Sequence, residues 1–121
     1  MASLTSAEAN AVLDARFKNW PGGTWISLHT ADPGDTGANE VVGGSYARQP
    51  IAWSTATGRS TSNSATVTWT GLPAIPSMAY CCIWTAVSGG SCKATLVQSP
   101  AVAVANGGAL TINAGAAVIT A

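Results

Sequence analysis

The sequence predicts an all-β domain, an antiparallel β-sandwich preceded by one short N-terminal α-helix. The chain has 121 residues, which fits a single domain. From residue 23 onward, apolar and polar residues alternate with a period of two, which is the pattern of half-buried strands. Turn residues recur at a spacing of roughly ten, which favours a sandwich with short connections. We therefore expect one domain over 1–121, with a helical segment at 1–22 and the β-sandwich at 23–121, and a jelly roll is one candidate topology.

The N-terminal segment has the pattern of an amphipathic helix. Thr5 and Glu8 fit a capping box, in which the hydroxyl accepts a hydrogen bond from a backbone N–H three residues later. Pro21 and the two glycines after it end the pattern. We expect a helix of about four turns that packs on its own domain. Its apolar stripe comprises Ala9, Val12, Leu13, Phe17 and Trp20.

The remainder of the chain divides into short strands. Residues 25–30 and 65–70 alternate in polarity, so each is predicted to be a half-buried strand. Residues 46–54 also alternate, but Pro50 removes a ladder donor, so this strand should lie at an edge or contain a bulge. Residues 78–86 are apolar on both faces and should form a covered central strand. Further strands are predicted at 92–98, 102–105, 109–113 and 116–121, with connections that include 58–63 and 71–76.

Charge is scarce in this chain. Only 8% of the residues are charged and the formal net charge is zero, against about a quarter charged in ordinary soluble domains. Such a surface gives little protection from self-association, which favours a packed component of an assembly. The five basic residues are scattered, so we expect no nucleic-acid partner. No apolar stretch approaches the roughly 20 residues that span a bilayer, so we expect no membrane partner and a protein that is made and kept in the cytoplasm.

The three cysteines do not form a disulfide framework. Cys81 and Cys82 are adjacent, and neighbours in a strand point to opposite faces, so at most one of them could approach Cys92 on a given side. We expect three reduced thiols that behave as small hydrophobes. A metal site is not expected, because the chain has no CxxC motif and only one histidine, His29.

The sequence gives little support for catalysis. His29 could combine with Asp32 or Asp35 and a serine nucleophile such as Ser45. Ser45 follows two glycines, but its surroundings do not match the G-x-S-x-G elbow. We therefore expect no enzyme activity and no cofactor, and we expect His29 to cap the loop that follows its strand.

The chain is rich in tryptophan, with five in 121 residues. Indole rings could stack on sugars in a binding cleft, since each offers a large apolar face and one N–H donor. Alternation within predicted strands favours the core or a subunit contact for four of the five. Those four are Trp25, Trp53, Trp69 and Trp84, whereas Trp20 lies in the helical segment.

Residues 32–45 form the longest predicted loop. Asp32, Pro33 and Gly34 have turn chemistry, because proline sets φ at the second turn position and glycine accepts a positive φ. Oxygen-bearing side chains in this loop could bind calcium, but their spacing differs from that of a calcium loop, which favours local hydrogen bonding. Loops of this length usually have a function, and we predict a rigid contact loop. The candidate contact residues are Asp32, Pro33, Gly34, Asp35, Asn39, Glu40, Tyr46 and Arg48.

The sequence of residues 28–49 resembles that of a family of small structural proteins of tailed bacteriophages, whose members carry an "LHTADPG…GANEV.GGSYARQ" signature. The resemblance continues through residues 63–67 and 83–90, so it covers most of the chain. It implies a structural protein of the virion, with other virion proteins as partners. No catalytic residue can be carried over from it.

Within that class, capsid decoration is the first expectation, because the chain has no heptad, collagen-like run or shaft repeat from which to build a fibre. The alternative is a tail-fibre or minor tail protein with a receptor- or glycan-binding role. The partner is expected to be the major capsid protein or a tail protein. Self-association is also expected, with a trimer as the specific guess.

Overall fold

The structure, a computed structural model, describes residues 4–121, so the first three residues of the predicted helical segment lie outside it. Within the described range, the helix α1 (Ser6–Leu13) continues into a π-helical turn (Asp14–Lys18) and is followed by antiparallel strands. The predicted all-β class with one short helix is confirmed. The strands are β1 (Thr24–His29), β2 (Gln49–Ile51), β3 (Ser60–Ser62), β4 (Val67–Trp69), β5 (Ile75–Trp84), β6 (Cys92–Val104), β7 (Leu110–Ile112) and β8 (Val118–Thr120).

The helix begins where the capping pattern predicts. Thr5 Oγ1 accepts a hydrogen bond from the Glu8 backbone N–H at 3.2 Å. The regular α-helix is shorter than four turns, because its last part widens into the π-helical turn, where Asn19 N donates to Asp14 O at 2.7 Å. The predicted stripe is wrong at Val12, which is 43% exposed. The helix contacts the core through a narrower i, i+4 row of Ala9, Leu13 and Phe17, and Val12 lies beside that row.

The main sheet has four strands in the order β2-β1-β5-β6. β5 is central within it and carries buried residues on both faces, as its sequence predicts. β2 lies at one edge and contains Pro50, which confirms the predicted edge strand. Of the predicted strand 46–54, only three residues belong to this sheet, because the residues before them turn aside to bond with the 32–45 loop.

Two strand predictions are wrong. Residues 92–98 and 102–105 are a single strand, β6, which runs through Pro100 because it lies at the edge of the sheet. Residues 58–63, predicted to be a connection, contain β3, which pairs with β8. The serines and threonine of β3 carry no apolar alternation, and the strand is instead held by this pairing and by the Thr61 hydroxyl, which donates to Ser54 O at 2.6 Å.

The core lies between the inner face of the main sheet and a second layer. The β3–β8 and β4–β7 ladders, with the helix, supply that layer. The register places Ile26 and Leu28 of β1 beside Ile83 and Cys81 of β5 on the inner face. The alternate residues of each strand point to the opposite, outer face of the sheet. In a half-buried strand, side chains on this face would be exposed to solvent. They are Ser27, His29, Cys82 and Trp84, and all four are buried.

The candidate contact loop

The 32–45 loop folds back over the outer face of the main sheet. Gly37 lies directly on the indole of Trp84, so closely that a Cβ placed there would be 2.2 Å from Cζ2 of that ring. Thr95 of β6 donates from its hydroxyl to Gly34 O at 3.3 Å. The loop therefore reaches from β1, where it begins, across β5 to β6. This cover explains why the outer face of β1 is buried although its residues are polar.

A chain of hydrogen bonds joins the sheet to the loop beneath this cover. His29 Nδ1 lies 2.7 Å from Ala38 O, and since a carbonyl only accepts, this nitrogen carries the proton. His29 Nε2 then accepts from the Ser27 hydroxyl at 2.6 Å, and Ser27 Oγ accepts from Trp84 Nε1 at 2.7 Å. Burial lowers the pKa of His29, against a smaller opposing effect of its bond to Ala38. A neutral His29 thus fastens the loop, as the capping prediction requires.

An ion pair holds the other end of the loop. Arg48 donates to both carboxylate oxygens of Glu40, from Nη2 to Oε1 at 3.0 Å and from Nε to Oε2 at 3.1 Å. The Tyr46 hydroxyl donates to Glu40 Oε2 at 2.7 Å and accepts from Leu28 N of β1 at 3.0 Å. Burial opposes ionisation of Glu40, but the bonds from Arg48 and Tyr46 outweigh it and lower the pKa of this carboxyl. Burial and the bond to Glu40 raise the pKa of Tyr46.

Arg48 also connects the loop to the turn between β5 and β6. Its Nη1 donates to Ala86 O at 3.0 Å and to Gly89 O at 2.7 Å. Its guanidinium carbon lies 3.7 Å from the centroid of the Trp84 ring, a cation–π arrangement. The Arg48 side chain is only 8% exposed, so its hydrogen-bonding capacity is used within the molecule.

The tip of the loop is exposed and ordered by local bonds. Asp32 Oδ1 accepts from Gly34 N at 2.9 Å, which confirms the turn chemistry predicted from the sequence. Asn39, at a φ of 65°, donates from its side chain to Asp32 O at 3.1 Å. Asp35 is exposed beside them. The buried Pro33 accepts from Gly37 N and Ala38 N through its carbonyl oxygen.

The eight candidate contact residues therefore separate into two groups. Pro33, Glu40, Tyr46 and Arg48 hold the loop from within. Asp32, Gly34, Asp35 and Asn39 are exposed at the tip, where a partner could reach them. A contact role for this tip stays a prediction.

The residues that the sequence offered for catalysis or metal binding do not come together in the structure. The serine beside His29 is Ser27, two residues away in β1, whereas Ser45 is exposed and donates its backbone N–H to Gly71 O at 2.8 Å. Both Ser27 and His29 are fully buried, so a substrate has no access to them. Over residues 4–121, no group of three or more His, Cys, Asp or Glu side chains is placed to hold a metal ion. None of the helices in the described chain is long and apolar enough to cross a membrane.

Two of the tryptophans, Trp53 and Trp69, lie in the core, and Trp84 lies on the outer face of the sheet under the 32–45 loop. Trp53, Trp69 and Trp84 are buried, and each N–H has an acceptor, at Thr24 Oγ1, Ala47 O and Ser27 Oγ respectively. Trp20 and Trp25 are half-buried. Sequence reasoning missed the Trp84–Ser27–His29 chain, although a serine two residues before the only histidine in a strand was a signal that both could share one face.

The cysteines are free thiols. Cys81 lies in the apolar core, whereas Cys82 Sγ lies 3.9 Å from Thr95 Oγ1 on the outer face, so the two point in opposite directions as predicted. Burial raises the pKa of each of these thiols to about 12.

The chain thus forms a small antiparallel β-sandwich, and the polar side chains described above hold the 32–45 loop on its main sheet. The chain belongs to the family described as podophage GP4 fiber I protein gp80, whose model matches residues 3–120. A search of curated proteins found no match to the chain. Family membership confirms the predicted class of phage structural protein, and the description favours the fibre alternative over capsid decoration.

Proposed function

We propose that the protein is a structural subunit of the phage fibre and that it joins neighbouring virion proteins through the free edge of β6. The observation that carries this proposal is the contrast between the two edges of the main sheet. β2 is three residues long and contains the exposed Pro50, so it is a poor template for another strand. β6 is thirteen residues long, which is roughly 43 Å of backbone, and its strand partner in the described chain is β5.

The composition of β6 favours pairing with a partner strand. Lys93 is its one charged residue and lies near its start, and Pro100 is its one proline and lies two residues after the central Gln98, where the pairing with β5 is irregular. Val97, at the middle, is 71% exposed. Natural proteins protect long edges with charge, proline or cover, and residues 94–99 of β6 carry neither charge nor proline. An unprotected edge in a chain with so few charges fits a protein that is used in an assembly.

A cavity beside this edge has room for side chains of an added strand. It measures about 200 Å³ and lies between β6 and the segment from β7 to residue 117. Ile26 and Cys81 of the core form its floor, and Leu96 and Val97 form the wall that belongs to β6. Strand addition combines main-chain hydrogen bonds with pockets for alternate side chains, and β6 offers a strand edge with a pocket beside it.

The proposal assigns no catalytic task to the chain and places its assembly in the host cytoplasm, in keeping with three free thiols and a buried Ser27–His29 pair. A homotrimer is the specific association proposed, and it is a guess from the symmetry common in virion projections.

The test is Val97→Lys, which adds a charge to the middle of the β6 edge. Light scattering after size exclusion should show self-association of the wild-type protein that Val97→Lys abolishes, with an unchanged far-ultraviolet spectrum. Val12→Lys is the matched control, since Val12 is an exposed valine on α1, far along the chain from this edge. A wild-type protein that is monomeric at high concentration and binds no fibre protein would contradict the proposal.

A further inference from the structure

The end of the 32–45 loop that the ion pair holds presents an apolar cleft. Val42 of the loop and Val87 of the β5–β6 turn are 86% and 51% exposed, and they are two of the six large exposed hydrophobic residues in the described chain. Both line one cleft of about 280 Å³, together with Tyr46 and the Glu40–Arg48 ion pair. Exposed valines that are scattered singly need no explanation, whereas two beside one cleft indicate a contact surface.

The cleft lies at the edge of the main sheet opposite β6. β5 occupies one side of β1 over residues Trp25–His29. The loop occupies the other side, where Val41 N donates to Leu28 O at 2.9 Å and Glu40 bridges His29. β1 and β5 therefore separate the loop segment from β6, at about 14 Å over three strand spacings. Each copy of the chain thus presents an apolar strand edge on one side of the sheet and an apolar cleft on the other.

The segment beside the cleft has the backbone geometry of a short edge strand. Asn39 O accepts from Thr30 N at 3.1 Å and Val41 N donates to Leu28 O, so these groups face β1. Because backbone groups alternate in direction along an extended segment, those of Glu40 point away from β1. The segment is therefore oriented to exchange main-chain hydrogen bonds with a strand edge from another molecule.

The charges of the cleft favour an uncharged partner. Glu40 and Arg48 are its charged lining residues, and they neutralise each other at 3.0 Å. Their side chains are only 24% and 8% exposed, so they offer little to a charged ligand. Residues 94–99 of β6 carry no charge, and Val97 among them is 71% exposed. The middle of β6 therefore matches the cleft in both charge and polarity.

We propose that the cleft of one copy receives the β6 edge of the next copy, in a head-to-tail contact that closes into a ring. Val97 packs between Val42 and Val87 of its neighbour, and that Val42 enters the cavity beside β6. The inference rests on the proposed role of the β6 edge and names the surface that this edge meets. A cyclic trimer requires a contact of this kind, because each patch meets a different patch on the next copy.

Charge substitution in the cleft is the first test. Val42→Lys and Val87→Lys should each reduce the mass measured by light scattering from that of the oligomer to that of one chain, as Val97→Lys does. Both sites are more than half exposed, so the variants should keep the far-ultraviolet spectrum of the wild type. Val12→Lys is again the matched control, since Val12 is an exposed valine outside both surfaces.

A disulfide trap distinguishes a head-to-tail contact from a symmetric one. Val97→Cys chains, mixed with Val42→Cys or Val87→Cys chains and oxidised, should form an interchain disulfide in at least one mixture. The yield in that mixture should be at least about fivefold higher than in either variant alone, because in a head-to-tail contact each new cysteine faces a valine of an identical neighbour. The wild type supplies the background from its native thiols, of which Cys81 and Cys82 are buried.

Three results would overturn the inference. The first is a wild-type chain that stays monomeric, which also contradicts the proposed function where the chain binds no other fibre protein. The second is association that Val97→Lys abolishes and both cleft variants leave unchanged, and this result leaves the proposed function standing. The third is a disulfide that Val97→Cys forms alone as readily as in the mixtures, since it would mean that two β6 edges meet symmetrically.

Discussion

The packing of the 32–45 loop on Trp84 predicts a large difference between two chemically identical substitutions. Gly37 and Gly34 lie in the same loop and both have a positive φ, of 74° and 59°. A Cβ added to Gly37 would lie 2.2 Å from Cζ2 and 2.3 Å from Cη2 of Trp84, whereas a Cβ added to Gly34 has no atom within 4 Å. Gly34→Ala therefore changes the backbone preference alone, and Gly37→Ala adds a collision with a buried ring.

The ring cannot yield at low cost. Trp84 is 6% exposed, and its Nε1 is held by Ser27 Oγ at 2.7 Å. Moving the indole would also disturb Arg48, whose guanidinium carbon lies 3.7 Å from the ring centroid. A left-handed alanine costs about 1–2 kcal/mol, partly offset by the lower entropy of the unfolded chain. Overpacking adds about 1–3 kcal/mol. We expect destabilisation of about 1 kcal/mol for Gly34→Ala and about 2–4 kcal/mol for Gly37→Ala.

Urea unfolding followed by tryptophan fluorescence measures both free energies with the same probe. The slope with denaturant should be similar in the two variants, because neither alters the core surface exposed on unfolding. Equal destabilisation by Gly37→Ala and Gly34→Ala would refute the reasoning, since it would mean that the loop does not pack on Trp84 in solution.

Three further predictions follow from the loop and the thiols. The free energy of unfolding should fall by up to about 1 kcal/mol from pH 6.5 to 5.5, because the unfolded chain protonates its only histidine while burial keeps the pKa of His29 low; His29→Gln should remove this dependence. Replacing Asp32 and Asp35 by alanine should leave the domain folded, at a cost of about 1 kcal/mol, and should reduce incorporation into particles. Normal incorporation with loss of host attachment would instead indicate a receptor site at the loop tip. A thiol reagent should label Cys81 and Cys82 slowly in the native protein and all three cysteines after unfolding, and a Cys82–Cys92 disulfide in fresh particles would contradict this.

Much of the fold can be predicted from local pattern because local chemistry decides it. Thr5 satisfies a free N–H of the first helical turn, Pro50 cannot donate to a central ladder, and the apolar residues of β5 need cover on both sides. β3 could not be predicted in this way. Its residues, Ser60–Ser62, are polar, and their extended conformation depends on β8, which lies far along the chain.

The candidate site was predictable as a loop but not in its internal arrangement. Ser27 and His29 have the polarity of a solvent-facing strand surface, and alternation reports polarity without revealing that the chain folds back over it. Glu40 and Arg48 lie eight residues apart in irregular structure, where no helical or strand spacing links their side chains. Their pairing, and the burial of Arg48 against Trp84, required the tertiary structure.

Location in the particle tests the proposed fibre role most directly. Cryo-electron microscopy should compare wild-type particles with particles that lack this protein, and with particles that carry Val97→Lys. We predict that density disappears from the fibre in both altered particles, while the capsid surface stays the same. Loss of density from the capsid surface, with fibres that remain intact, would contradict the fibre role and restore capsid decoration.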